Sequence, residues 1–383
     1  MEWFVLGVFV VACIVLGGVY WQLRRRHMLR WLPTFLRERQ RFQLPKLDDE
    51  IHVILCICDH FEPKWGNADR ETGRKRVAKW VEEYPKQFGR FRDADGRPPR
   101  YSFFFPIEEY EKEYLDALAG LCKAGFGEVE IHLHHDNDTP EGLREKLISF
   151  KEVLLGHGLL ARHKHTGVAM YAFIHGNWAL CNARPDGKFC GVEHEIPILL
   201  ETGCYADLTF PSAPSATQPP IINRIYHACD RPDGPRSQDV AIADGASTEN
   251  ALLMVQGPLL LDWSKRKWGF MPGVENGCLQ TSQPPSVERL MRWLQARVQV
   301  PGRPDWYFVK LHAHGAPEVD HEVLLGAPMV QFHEDLAALA RTNSTFHYHY
   351  VTAREMVNLI KAAQAGFKGT VGEARDWELV SDC

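Results

Sequence analysis

The sequence predicts an α/β protein: a (β/α) barrel of seven or eight strands preceded by one transmembrane helix. Two observations carry the barrel. Short runs rich in β-branched residues alternate with segments of helical period along most of the chain, the rhythm of a parallel sheet covered by helices. About eight such runs, each roughly 5–8 residues long, suit closure better than an open sheet. The third observation concerns the amino terminus, where Trp3 to Trp21 is free of charge.

That first run spans nineteen residues, long enough to cross a bilayer as a helix, with Trp3, Tyr20 and Trp21 at the levels of an aromatic belt. A cleaved signal peptide carries its positive charge before the apolar stretch. Here Glu2 precedes it and Arg24, Arg25 and Arg26 follow, so residues 1–22 read as an uncleaved anchor. The basic flank on the carboxyl side predicts a domain facing the cytoplasm, and ten cysteines without a Cys-x-x-Cys pair agree with a reducing compartment. Residues 23–46 form a basic juxtamembrane linker. Its stretch from His27 to Leu44 interleaves Arg with Trp31, Leu32, Phe35, Leu36 and Phe42, as an interfacial amphipathic segment or a solvated linker would.

The barrel domain is expected over residues 47–366, with a carboxy-terminal tail from 367 to 383. Strands are predicted at 51–58, 101–105, 129–133, 168–174, 205–210, 251–255, 306–311 and 345–351. Helices are predicted at 71–88, 109–124, 140–155, 193–201, 286–298, 331–340 and 353–363. Thr139 and Pro140 supply an N-cap and first-turn proline, and Gly203 suits a helix C-terminus. Residues 211–250, rich in Pro, Ser, Asp and Gly, read as a long loop over one end.

Charge excludes one class of partner. The first 46 residues carry eight Lys/Arg against Glu2 and Glu38, so with the chain at −5 the remainder carries −11. An acidic body does not suit nucleic acid, whereas a basic neck beside an apolar segment suits a lipid bilayer.

The polar residues then fall in a pattern. The predicted strands end in Asp59-His60, in His134-His135-Asp136-Asn137-Asp138, in His175-Gly176-Asn177 and in His312-Ala313-His314. Carboxyl ends of parallel barrel strands converge on one face, where active sites sit. His60 and His134, with Asp138 or His135, are therefore candidate ligands of one divalent transition metal: Zn, Co, Ni, Mn or Fe. A site with an open position lets a bound water ionise near neutral pH. Asp59 would take that proton, and His314 or His312 would protonate a leaving amine. His175, Asn177 and Trp178 are candidate substrate contacts. His132, inside its strand, reads as a packed or hydrogen-bonded residue.

These residues resemble the motifs of the polysaccharide deacetylase family, the NodB-homology group of carbohydrate esterases. The family's first strand ends in an Asp pair, one the base and one a metal ligand, and Asp59-His60 stands in that place. Its second motif sets two metal His four apart after a strand, and here His134 and Asp138 hold that spacing. Its last motif pairs a Leu lining an acetyl pocket with a catalytic-acid His, matched by Leu311 to Gly315. The family's Arg and Pro motif has no clear counterpart, and Phe210 to Pro214 stands nearest to it. The resemblance covers most of residues 50–360 in order and spacing. It implies metal-dependent removal of an acyl group from an N-acylated sugar, either a polysaccharide or a lipid-linked precursor. Two other readings compete: a glycoside hydrolase, which needs two carboxylates such as Asp59 with Asp138 or Glu108, and a non-catalytic component of an envelope-polysaccharide assembly.

Overall fold

The uncharged run forms helix α1 (Glu2–Arg25), long and apolar enough to cross a membrane, and none of its apolar window is buried against the rest of the chain. The structure is a computed structural model describing residues 1–381 except 47, 48, 244, 268 and 270. Beyond α1 part of the neck packs on the domain, while Leu29, Leu36 and Leu44 stay exposed. Met28 and Trp31 are buried with Ala213, Ile222 and Leu259. Arg30 pairs with Asp239, and Arg224 reaches Glu38 at 3.1 Å. Of the apolar residues interleaved with Arg, Trp31, Leu32, Phe35 and Phe42 thus form a docking stripe for the domain itself.

The domain is mixed α/β. Its parallel strands are β1 (Ile51–His60), β2 (Tyr101–Pro106), β3 (Gly127–Leu133), β4 (Ala169–His175) and β5 (Cys204–Asp207). The strand β6 (Ile225–Cys229) lies antiparallel to β7 (Ala251–Val255), and β8 (Cys278–Leu279), β9 (Trp306–Ala313) and β10 (Phe346–Tyr350) extend the sheet. The order is β8-β9-β1-β2-β3-β4-β5-β7-β6. Strand β10 shares one side of β1 with β2: it pairs with residues 51–55, and β2 with residues 58–60. Among the described residues no pairing joins β6 to β8, so the sheet is an open path rather than the closed barrel of seven or eight strands that the rhythm predicts. The departures lie in the irregular stretches. The supposed loop 211–250 contains β6, and Leu260–Lys267 with Met271–Glu275 forms a separate hairpin.

Helices follow the predicted segments: α2 (Arg70–Phe88), α3 (Lys112–Lys123), α4 (Pro140–Gly156), α5 (Glu195–Thr202), α6 (Val287–Gln295), α7 (Ala327–Thr342) and α8 (Ala353–Gln364). Their ends show the expected caps. Thr139 accepts from Gly142, and Gly203 closes α5 at a φ of 97°, where a Cβ would be strained.

Strand pleating sorts side chains onto two faces. Odd residues of β1 (Val53, Leu55, Ile57) pack with Trp80, Leu118, Leu147, Ile196 and Phe332 of the surrounding helices. Even residues (Ile54, Cys56, Cys58) pack against α8, whose Met356, Val357, Leu359 and Ile360 are fully buried. Burying each such side chain stabilises by about 1.5–3 kcal/mol, so α8 is a core element rather than a cover. Its buried charges are paired: Arg354 with Glu128 at 2.8 Å and Glu355 with Arg100 at 2.6 Å. The segment expected as a tail belongs to this end. Arg375 is buried between Asp93 at 2.9 Å and Asp95 at 2.7 Å, and Leu379–Val380 pairs with Ala161–His163.

Candidate metal centre at the carboxyl ends of the strands

The same pleating decides which predicted site residues meet. His60 follows the even face of β1, and His132 lies on the matching face of β3. His312 near the end of β9, and His134 and His314 beyond the strand ends, continue that face. Their rings form a chain: His60 to His132 at 4.8 Å, His132 to His134 at 4.5 Å, and His60 to His314 at 4.8 Å between centroids. The carboxylate at their centre is Glu62, two residues past His60 and 3% exposed. Its Oε1 is 3.3 Å from His132 Nε2 and 3.6 Å from His134 Nε2.

The tautomers follow from the other ring nitrogens. His132 Nδ1 lies 2.8 Å from the carbonyl of Ile174, which only accepts, so Nδ1 carries the proton. His134 Nδ1 donates to Glu108, which also accepts from the His134 amide at 3.2 Å. In the neutral form of each ring, the Nε2 lone pair then faces Glu62. The buried His60 Nε2 has no partner. Lone pairs gathered around one carboxylate oxygen, each ring oriented from behind by an oxygen, form a donor set for a divalent ion. His60, Glu62 and His132 bring one ligand atom each within 4.8 Å of one another.

Local charge supports the set. Burial pulls His60 well below the usual imidazole range, so it is neutral and able to ligate. Burial also pulls His314 down. One side of the centre is open: His134 is partly exposed, Trp65 is 50% exposed with its ring 5.7 Å from His314, and Trp178 lies 6.2 Å from His60.

Other predicted residues lie elsewhere. Asp59, one position before His60, leaves β1 on the opposite face. It is fully buried and accepts from the Gly315 amide at 2.9 Å and from Tyr101 Oη. Burial pushes its carboxyl up to about 7 against those two bonds. It fastens the loop that carries His314 and is not placed to take a proton from a bound water. Leu311 likewise points to the helix-covered face, within the outer core, rather than into the site. His312 shares the site's face but is buried, its Nδ1 unpartnered beneath the cluster. Asn177 and Trp178 follow β4 with positive φ of 52° and 55°. Trp178 borders the centre.

His135, Asp138 and His175 form a second group on the outer face, so the single site expected from His60, His134 and Asp138 or His135 is divided. Successive residues of an extended segment point opposite ways, and His134 and His135 therefore serve different clusters. Asp138 lies behind His135, 2.9 Å from its Nδ1. The residues that sequence reasoning did not assign to a centre are Glu62, His132, Cys190 and Glu195, while Glu108, read there as a possible glycosidase carboxylate, stands behind His134. Glu62 had a signal in being an even step beyond His60, and His132 in being an even step before His134. Cys190 and Glu195 had none.

No protein-family model matches the chain, and a search of curated proteins finds no match either.

Proposed function

We propose that the chain is a membrane-anchored, metal-dependent hydrolase that removes an acyl group from an N-acylated sugar. The observation that carries this reading is the centre itself: His132 and His134 turned lone-pair first toward Glu62, with the unpartnered His60 beside them and one side open. A divalent ion held by His60, Glu62, His132 and His134 supplies Lewis acidity toward an acyl carbonyl and toward water. His314 lies against His60 at the open side, where it can pass a proton to a leaving amine. Trp65 and Trp178 flank the opening with apolar ring faces suited to a sugar ring. The motif order along β1, β3 and β9 agrees with a polysaccharide deacetylase-like barrel that has opened at one seam.

Glycoside hydrolysis fits less well, because Glu62 is engaged by two histidines and Asp59 is sealed beneath the strand. Anchoring by α1 and the Arg24–Arg26 flank favour a cytoplasmic domain, and the docked neck holds that domain close to the anchor. A lipid-linked sugar is then the more accessible substrate.

The test uses the full chain in detergent, its metal content, and deacylation of N-acetylated oligosaccharides and lipid-linked amino sugars. Glu62→Gln should lose the ion at this centre. His314→Ala should keep it while turnover falls about 10²–10⁴-fold. Near-native rates from both variants would remove the hydrolase reading.

A further inference from the structure

We infer that the chain holds a second, closed metal site in which His135, His175, Cys190 and Glu195 bind a structural Zn²⁺. This inference stands apart from the hydrolase reading and needs no activity at the first centre.

The four residues come from separate places. His135 follows β3, His175 ends β4, Cys190 lies in the irregular stretch after it, and Glu195 opens α5. All are buried, three of them completely. The two Nε2 atoms are 2.8 Å apart. Glu195 Oε1 lies 3.3 Å from one and 3.4 Å from the other. Cys190 Sγ is 3.4 Å from Glu195 Oε2, and one ligand atom from each residue falls within 4.8 Å of the others. Tetrahedral zinc with bonds of about 2.0–2.3 Å separates its ligands by roughly 3.3–3.7 Å. The separations to and from Glu195 are of that size, and the two Nε2 atoms, at 2.8 Å, would part by about half an ångström to admit the ion.

Hydrogen bonding points to a cation. His175 Nδ1 faces the Gly176 carbonyl, which can only accept, so it must donate. His135 Nδ1 faces Asp138, whose carboxylate also takes Lys146 Nζ at 2.8 Å and the Thr139 amide at 2.9 Å. With both Nδ1 atoms donating, neutral rings turn two Nε2 lone pairs on each other. Glu195 Oε1, fully buried between them, has no well-formed hydrogen bond. Three acceptors converging without a donor repel one another, and a cation reconciles them. Imidazoles held from behind by a carboxylate and a carbonyl are the arrangement that orients zinc-ligating histidines. Two imidazoles, a carboxylate and a thiolate suit zinc, and no open position remains for water. The thiol proton leaves on binding, and the ion's two positive charges match those of the carboxylate and the thiolate.

The site also explains a stretch of chain. Residues 176–194 contain neither strand nor α-helix, yet Phe189 and Gly191 hold φ of 63° and 96°. A Cβ on Gly191 would lie 2.6 Å from the Asp138 amide, which donates to the Cys190 carbonyl at 2.9 Å. An ion joining residues 190 and 195 to the ends of β3 and β4 would pin this stretch. That stretch carries Trp178, and His135 adjoins His134, so the closed site supports one wall of the first centre.

The full chain in detergent, loaded with Zn²⁺ or Co²⁺ alone, tests this. Elemental analysis should find one equivalent that survives Glu62→Gln and disappears in Cys190→Ser and Glu195→Gln. With Co²⁺, a thiolate charge-transfer band in the near ultraviolet should appear in the native chain and in Glu62→Gln, and be absent from Cys190→Ser. Should Glu195→Gln fail to fold, the native Co²⁺ spectrum and the Cys190→Ser metal content still decide. Native chain that binds cobalt without the band, or Cys190→Ser with unchanged metal content, would overturn the site and leave a proton shared between the two imidazoles. Loss of metal in Glu62→Gln alone bears on the first centre and not on this one.

Discussion

Glu108 offers a clean way to perturb the first centre without unfolding the protein. Its side chain is 37% exposed, on the short turn after β2, and it touches the site only through His134. There it accepts from both the ring Nδ1 and the backbone amide of His134. Glu108→Ala removes the acceptor that fixes the ring's tautomer and rotation, and lets Nε2 swing away from Glu62. Removing an oxygen partner behind a ligating histidine costs about 10–100-fold in metal affinity, or about 1.4–2.7 kcal/mol. Stability should change by no more than about 0.5 kcal/mol, as for other exposed positions. Glu108→Gln keeps an acceptor oxygen and should lose less. The assay is competitive titration of Zn²⁺ or Co²⁺ against a chelating indicator, beside a thermal melt of the metal-free chain. Native affinity in Glu108→Ala, with an unchanged melt, would show that His134 needs no support from behind or is not a ligand.

Three further outcomes follow from the structure. His333 is buried among Phe88, Phe91, Phe332 and Tyr350, and burial drops it to about 3. The unfolded chain, with an ordinary value near 6.5, then binds more protons below that pH, so stability falls as pH drops from about 6.5 toward 3, by about 2 kcal/mol at pH 5. In His333→Phe the urea midpoint should decline less steeply with acid, whereas parallel declines would refute the assignment. Asp59→Asn keeps an acceptor for Gly315 and should retain its metal with turnover within about tenfold of native; a loss of 10²–10⁴-fold would restore Asp59 as the general base. Topology reporters fused after residues 46 and 381 should both report the cytoplasm, and activity only from a periplasm-dependent reporter would move the substrate outward.

The order of elements was legible in the sequence because it rests on local physics. Apolar period, the N-cap at Thr139 and the stop at Gly203 act within a few residues, and the structure carries them at those positions. The apolar run of α1 was legible for the same reason. That several strands end in histidine was also visible, and so was the convergence of their carboxyl ends. Which histidines share a site was not. A strand turns successive side chains to opposite faces, and the chain's own numbering does not say which face the centre takes. That one alternation sends His60 and His134 inward with Glu62, and sends Asp59, Leu311, His135 and His175 to the helix-covered side. Irregular segments were least legible. The neck gives no local sign that Trp31 will be buried under residues 213–259, and nothing near Cys190 or Glu195 announces that β3 and β4 will bring His135 and His175 to meet them. Those contacts join residues tens to hundreds of positions apart, and only the closing of the tertiary structure selects them.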